Sequence, residues 1–294
     1  MRNKAGIIIN PVSGTLDKAK LEQEIKEGLS ATYDVQVCYT RYPGHGNKIA
    51  RDLVNEGFQT IIVVGGDGTI NEIGSAMVNT NVCLGIVPAG SGNGLARHLK
   101  IPLKSLEAIR VLKEGRIAEI DYGIFNGHIF FCTAGLGFDA LISQKFEEMP
   151  KRGFSSYFKA VIHHFFSYKA KKYLIKIDDV KYKRKAFLIT IANASQYGNN
   201  AFIAPNANIT DGLFDVAILS PFPRRRVVEL GLKLMNKRIE SSEFVEIVKG
   251  SKVILKRNKK GPVHIDGEPL KMGKKIKAEI VHKGLKVIVP RTDN

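Results

Sequence analysis

The run Thr60-Ile61-Ile62-Val63-Val64 passes directly into Gly65-Gly66-Asp67-Gly68-Thr69, after which Ile70-Asn71-Glu72-Ile73 begins a helical pattern. A β-branched run of this kind reads as a strand, and the glycines that follow let the backbone approach a ligand with no Cβ in the way. Strand, glycine loop and helix in that order are the setting in which backbone N–H groups and a helix N-terminus hold phosphate. Asp67 is a carboxylate placed to hold Mg2+ directly or through water. Taken alone, the cluster is explained equally well by a tight βα turn that serves packing.

The cluster is not alone. Val82–Val87 leads into Pro88-Ala89-Gly90-Ser91-Gly92-Asn93-Gly94 and a helical Leu95–Leu99, while Ile7–Ile9 leads into Asn10-Pro11-Val12-Ser13-Gly14-Thr15. Val35–Tyr39 ends at Thr40 on the same expected edge. Between these runs Leu21, Ile25 and Leu29 fall at helical spacing, as do Ile49, Leu53 and Val54, and Leu106, Ile109 and Leu112. The alternation predicts an open, doubly wound, Rossmann-like parallel α/β sheet, with its ligand beyond the carboxyl ends of the strands.

After Asp121-Tyr122-Gly123 the pattern changes to short strand-like runs at His128–Thr133, Ala186–Ala194, Leu213–Leu219, Val253–Lys256 and Lys286–Val289. Gly, Pro and Asn punctuate them, which predicts a mainly antiparallel β-sandwich or barrel, with helical inserts over 138–170 and 224–237. The expected domains are therefore 1–122 and 123–284.

Charge separates the same two halves. Residues 1–122 carry 14 Lys/Arg and 13 Asp/Glu, whereas residues 123–294 carry 31 and 15, so nearly all of the net +17 lies in the second half. Such asymmetry suits a polyanion, either nucleic acid or an anionic membrane surface. Between Lys145 and Lys185 there are 12 Lys/Arg against Glu147, Glu148, Asp178 and Asp179, interleaved with Phe154, Tyr157, Phe158, Phe165, Phe166 and Tyr168. These aromatics either pack inside, leaving the lysines as a solvated face, or touch lipid beside basic groups that dock on anionic headgroups. Arg224-Arg225-Arg226 would suit phosphates, but no nucleic-acid motif accompanies it, and nucleic acid is not the expected partner. His163 and His164 are adjacent, about 100° apart on a helix, and make poor joint metal ligands.

Cys38, Cys83 and Cys132 are odd in number and widely spaced, which fits neither a disulfide framework nor a zinc site and points to a reducing compartment. Ile7–Ile9 is too short for a signal-peptide core, and no window approaches the roughly 18 apolar residues of a membrane span. The expected location is cytoplasmic, with peripheral membrane contact.

The set Ile9-Asn10-Pro11, Gly65–Thr69 with Asn71-Glu72, Pro88–Asn93, Asp211-Gly212-Leu213 and Ile265-Asp266-Gly267-Glu268 resembles, in order, the diacylglycerol kinase catalytic-domain family, which includes bacterial lipid kinases and sphingosine kinases. The resemblance implies an ATP- and Mg2+-dependent lipid kinase with nucleotide in a cleft between an α/β domain and a β-sandwich, and a C-terminal strand, 285–294, returning to the first domain. It implies ATP contacts at Asn10, Thr40, Gly65, Gly66, Asp67, Gly68, Thr69 and Ser91. Glu268 becomes the proton acceptor, although in sphingosine kinases the residue matching Asp67 is favoured instead. A structural magnesium site falls on the carboxylate of Asp211 and the carbonyls of Asn208 and Leu213; alone, Asp211-Gly212 reads as a turn, and Val263–Leu270 as a hairpin.

Gly94 departs from the family, many of whose bacterial members carry aspartate there in a carboxylate network around the catalytic magnesium; Asp121 matches another member of that network. A lipid such as diacylglycerol or a sphingoid base is the expected acceptor. The competing readings are a NAD kinase, which shares the Gly-Gly-Asp-Gly-Thr element, and a non-catalytic binder of anionic surfaces. The reading leaves room for a homodimer.

Overall fold

The computed structural model describes residues 3–14, 17–147 and 164–291. Thr15, Glu148, Lys151, Arg152, Phe154, Tyr157, Phe158, Lys159 and His163, which figure in the expectations above, lie outside the described residues. The chain divides into two compact units, Met1–Ile120 with Lys283–Asn294, and Asp121–His282.

In the first half the elements are β1 (Asn3–Ile9), α1 (Lys18–Leu29), β2 (Tyr33–Tyr39), α2 (His45–Asn55), β3 (Thr60–Gly65), α3 (Asp67–Met77), β4 (Cys83–Pro88), α4 (Gly94–His98) and α5 (Ser105–Glu114). Then follow β5 (Arg116–Phe125), β6 (His128–Phe130), β7 (Thr133–Gly137), α6 (Phe138–Glu147), β8 (Lys171–Ile177), β9 (Val180–Ala186), β10 (Leu188–Ala192) and β11 (Phe214–Leu219). The chain continues with α7 (Val227–Met235), β12 (Val245–Gly250), β13 (Lys252–Arg257), β14 (Gly261–Ile265), β15 (Glu268–Met272) and β16 (Lys275–Val289).

The first unit is a parallel sheet in the order β2-β1-β3-β4, extended beyond β4 by the end of β16, where Lys286 and Val287 pair with Cys83 and Leu84. Strands covered on both faces have no polar side to show, and every residue of β3 and β4 is buried. Asp17 caps α1 by accepting from Ala19 N and Lys20 N, and Leu21, Ile25 and Leu29 of that helix enter the core beside Ile7, Ile9, Ile62 and Val64. On α5, Ala108, Ile109 and Leu112 face inward, whereas Leu106 is exposed, one position off the expected stripe.

The second unit packs two largely antiparallel sheets. One runs β12-β11-β10-β7-β14-β15; the other runs β9-β8-β13 and the start of β16, with the β5–β6 hairpin joining its strands. Phe125, Phe130, Ile175, Ile189, Phe214 and Leu255 fill the space between them, each contributing on the order of 1.5–3 kcal/mol by leaving water. A second core covers the outer face of the six-stranded sheet, where α6 and α7 bring Phe138, Ile142 and Leu230 against Phe165, Phe187 and Leu188.

Two expected strands are divided. His128–Thr133 breaks into β6 and β7 because the N–H groups of Phe131, Cys132 and Thr133 all turn to the carboxylate of Asp266, leaving none for a ladder. Ala186–Ala194 breaks at Phe187, whose ring packs among Phe138, Tyr168 and Phe222. The expected helical insert over 138–170 is helical at Phe138–Glu147; of its described aromatics, Phe165 is buried and Phe166 is 54% exposed. Cys38, Cys83 and Cys132 form no disulfide with one another. Among the described residues no helix is long and apolar enough to cross a membrane.

Candidate active site

Four loops leave the carboxyl ends of β1, β2, β3 and β4, and hydrogen bonds tie them together. Asn10 N donates to Val64 O at 3.1 Å, Thr40 N to Ile9 O at 3.0 Å, and Ala89 N to Gly65 O at 2.8 Å. The Asn10 side-chain amide donates to Thr69 Oγ1 at 2.8 Å, so the expected nucleotide contacts at Asn10, Thr40, Gly65–Thr69 and Ser91 share one edge of one sheet.

The glycines are there because the loops touch. A Cβ on Gly90 would lie 2.5 Å from the Cα of Gly66, and one on Gly14, where φ is +61°, would lie 2.0 Å from Ala89 O. Asn93, at φ 51°, closes the second loop on itself, accepting from Gly90 N at 3.0 Å and donating to Gly90 O at 2.8 Å. Arg97 reaches back to Gly92 O at 3.0 Å.

Helix α3 carries two carboxylates that serve neighbouring helices. Asp67 accepts from Gly94 N at 2.9 Å and Leu95 N at 3.2 Å, so it neutralises the positive end of α4; Glu72 accepts from Gly46 N and Asn47 N and does the same for α2. The N-cap residue of α3 is Gly66, which has no side chain to offer its own first-turn N–H groups. That N-terminus, flanked by loops that glycine lets come into contact, has the chemistry to attract an anion. Lys18 ties a cation to the loop after β1, donating to Ser13 O at 2.6 Å, with burial lowering its pKa. His98, at the end of α4, is pushed down to about 4 by burial.

The second unit presents Glu268, exposed at the start of β15. The hairpin before it turns through Asp266 and Gly267, at φ 47° and 87°, the left-handed pair a two-residue hairpin favours. Asp266 locks that turn: its carboxylate accepts from Phe131 N, Cys132 N and Thr133 N at 2.8, 2.8 and 2.9 Å. Behind β14 lies a buried polar chain. His264 Nε2 meets Asp139 Oδ2 at 3.1 Å, the same oxygen accepts from Thr190 Oγ1 at 2.9 Å, and Thr190 Oγ1 is 2.5 Å from the Tyr197 hydroxyl. Gly135 lies against it, since a Cβ there would come within 2.5 Å of Asp139 Oδ2.

Asp211 sits in a turn in which its Oδ1 accepts from Leu213 N at 3.0 Å, while Asn208 O accepts from Asp211 N at 3.4 Å. Its Oδ2 accepts from Lys249 Nζ at 2.9 Å. That ammonium also lies 3.7 Å from Asp215 Oδ2, a buried oxygen without a hydrogen-bond partner. Burial raises the Asp215 pKa against the opposing pull of Lys249, and the bond to Asp211 raises that of Lys249. The oxygen-only donors expected at Asp211, Asn208 and Leu213 suit Mg2+, and the buried Asp215 carboxylate beside them calls for a cation, a need that Lys249 meets in this structure. Among the described residues no three His, Cys, Asp or Glu side chains group as metal ligands. Asp121 is fully buried, its Oδ2 accepting from Gly212 N at 2.7 Å and its Oδ1 lying 2.8 Å from His282 Nδ1. In this fold it braces the Asp211 turn.

Lys18, Asp139, Lys249 and His264 were not singled out from the sequence, because their roles come from partners distant in the chain. The Asp-Gly pair at 266–267 was the one local signal for the locked hairpin.

The family models agree with this architecture. Residues 4–125 match the diacylglycerol kinase catalytic domain, and residues 132–289 match the YegS C-terminal NAD kinase beta sandwich-like domain. The chain is 29% identical over 269 residues to a "Probable lipid kinase YegS-like" protein of Chromohalobacter salexigens, covering 90% of this chain and 86% of that one. It is 26% identical to a diacylglycerol kinase of Bacillus subtilis, covering 98% and 97%. A crystal structure of a diacylglycerol kinase from Bacillus anthracis shares the fold, with TM-score 0.79, 21% identity, and 98% and 97% coverage. With both halves matched in order, the chain belongs to the diacylglycerol kinase catalytic-domain family, in the form completed by a YegS C-terminal domain.

Proposed function

We propose that this chain is an ATP- and magnesium-dependent lipid kinase, transferring the γ-phosphoryl group to a hydroxyl of a lipid such as diacylglycerol or a sphingoid base. The observation that carries the nucleotide half is the edge of the first unit, where Gly66 and Gly90 are in contact and α3 presents an N-terminus without a side-chain cap. Family membership and the names of the relatives support the lipid half.

In this reading Asn10, Thr40, Gly65–Thr69 and Ser91 hold ATP through backbone N–H groups and hydroxyls, and Lys18 offsets phosphate charge. Magnesium, when bound, neutralises charge on the transferring phosphoryl group. Asp211, with the carbonyls of Asn208 and Leu213, would hold a structural Mg2+ in place of the Lys249 ammonium. Glu268 accepts the proton of the lipid hydroxyl. It suits this better than Asp67, whose two oxygens each already accept a backbone N–H that protonation would displace. Asp67 instead keeps the second glycine loop in register with the first.

The test is incubation with labelled ATP and a total lipid extract, followed by mass identification of the labelled product, for the parent, Asp67→Ala and Glu268→Ala. The proposal expects one labelled lipid and a loss of at least about a hundredfold in each variant. Labelling of NAD in place of lipid, or full activity in both variants, would overturn it.

A further inference from the structure

The strands β9, β8, β13 and the start of β16 bury Tyr173, Ile175, Val253, Leu255, Ile276 and Ala278 on one face. The registers define the other face row by row. Lys172 stands opposite Lys185; Lys183, Leu174, Lys256 and Lys275 form the next row; Lys181, Lys176, Ile254 and Lys277 form the third; Lys252 stands opposite Glu279. Eight of the nine lysines are exposed and Lys176 is half-buried. Among the described residues the ion pairs these lysines make are Glu279 with Lys252 at 3.0 Å and Asp179 with Lys176 at 3.2 Å, and the Asp178 carboxylate adds negative charge near Lys252.

This arrangement works against the fold. Directly opposed residues on one sheet face have Cβ atoms about 4.5–5.5 Å apart, and like charges there destabilise the pairing. Three such pairs face each other, 172 with 185, 176 with 181, and 256 with 275. A face built for solubility alone intersperses signs. At about 4.8 Å per strand and about 6.8 Å per pair of residues, the lysines tile a patch roughly 14 Å across the strands and roughly 20 Å along them.

Neither arginine nor an aromatic ring that could stack a base stands among these rows, as a nucleic-acid platform would ask. Lysine point charges on flexible stems suit headgroups that move, and 53% exposed Leu174 with half-buried Ile254 in the middle suit the apolar layer beneath them. We infer that this lysine face docks the chain on a bilayer containing anionic lipid. The choice of bilayer over other polyanions rests on the lipid-kinase reading.

The test is flotation of the full chain with vesicles of phosphatidylcholine, with and without phosphatidylglycerol, comparing the parent with Lys172→Gln/Lys176→Gln/Lys181→Gln/Lys185→Gln. The expected result is parent binding that requires phosphatidylglycerol and falls at least about tenfold in the variant. Removing two opposed Lys–Lys pairs should also raise the variant's melting temperature, so lost binding cannot be lost folding. Equal binding by parent and variant, indifference to phosphatidylglycerol, or loss of binding only on Leu232→Ser in the exposed stripe of α7 would overturn the inference. Tighter retention on a DNA or RNA oligonucleotide than on vesicles would do so as well. A parent that floats with vesicles but labels no lipid sinks the kinase reading alone; one that labels detergent-dispersed lipid while the variant floats like the parent sinks only the docking face.

Discussion

Asp266 is bonded to Thr133 in both directions: its carboxylate accepts from Thr133 N at 2.9 Å and its own N–H donates to Thr133 O at 2.8 Å. The turn that presents Glu268 is therefore fixed to the strand beside it. Asp266→Ala strands three N–H donors and should cost about 2–4 kcal/mol in denaturant unfolding. Lipid phosphorylation should drop while thermal protection by ATP persists; equal loss of both would place Asp266 elsewhere in the mechanism.

Gly90→Ala directs a methyl at the backbone of Gly66, which has no side chain to move aside. ATP protection against thermal unfolding should disappear, with stability falling by about 1–3 kcal/mol. Gly231→Ala is the control. It lies within α7 with nothing within 4 Å of the new methyl, and should stabilise by roughly 0.5–1 kcal/mol without altering ATP binding.

His98 gives a pH dependence whose sign is set. Its pKa is about 4 in the folded chain against 6.5 as a free side chain, so the unfolded state binds the extra proton between those values. Stability from this group is present above pH 6.5 and is lost as pH falls towards 4, on the order of 3 kcal/mol. His98→Gln should flatten that part of the stability profile; an unchanged slope would remove His98 as its source.

Lys249→Met removes the ammonium that lies between Asp211 and Asp215. Without Mg2+ the melting temperature should fall, since a buried carboxylate loses its counter-charge. Millimolar Mg2+ should restore it in the variant and have a smaller effect on the parent. If Mg2+ protects both equally, or neither, the Asp211 turn is not a metal site in competition with Lys249.

The features legible in the sequence were those whose parts are consecutive. Thr60–Val64, the glycines and the helix after them follow one another, so the strand, loop and helix could be read in order, and the second glycine loop repeats the signal. What escaped depends on pairing across the chain. Asp67 meets Gly94 from 27 residues away, and Asp266 breaks the expected strand over His128–Thr133 from 135 residues away. No spacing rule announces either. The basic stretch ending at Lys185 was visible as charge, but its continuation through Lys256, Lys275 and Lys277 needs the strand registers.

The opposed lysine rows also make the ionic medium act in two directions at once. Added salt screens the repulsion between Lys172 and Lys185 and between Lys176 and Lys181, so the free chain should tighten as ionic strength rises. The same ions weaken the pull of an anionic leaflet on those ammonium groups. If the lysine face docks on an anionic bilayer as inferred, the salt that steadies the free chain is also the salt that releases it, and a purification that selects for stability in high salt would select against seeing it bound.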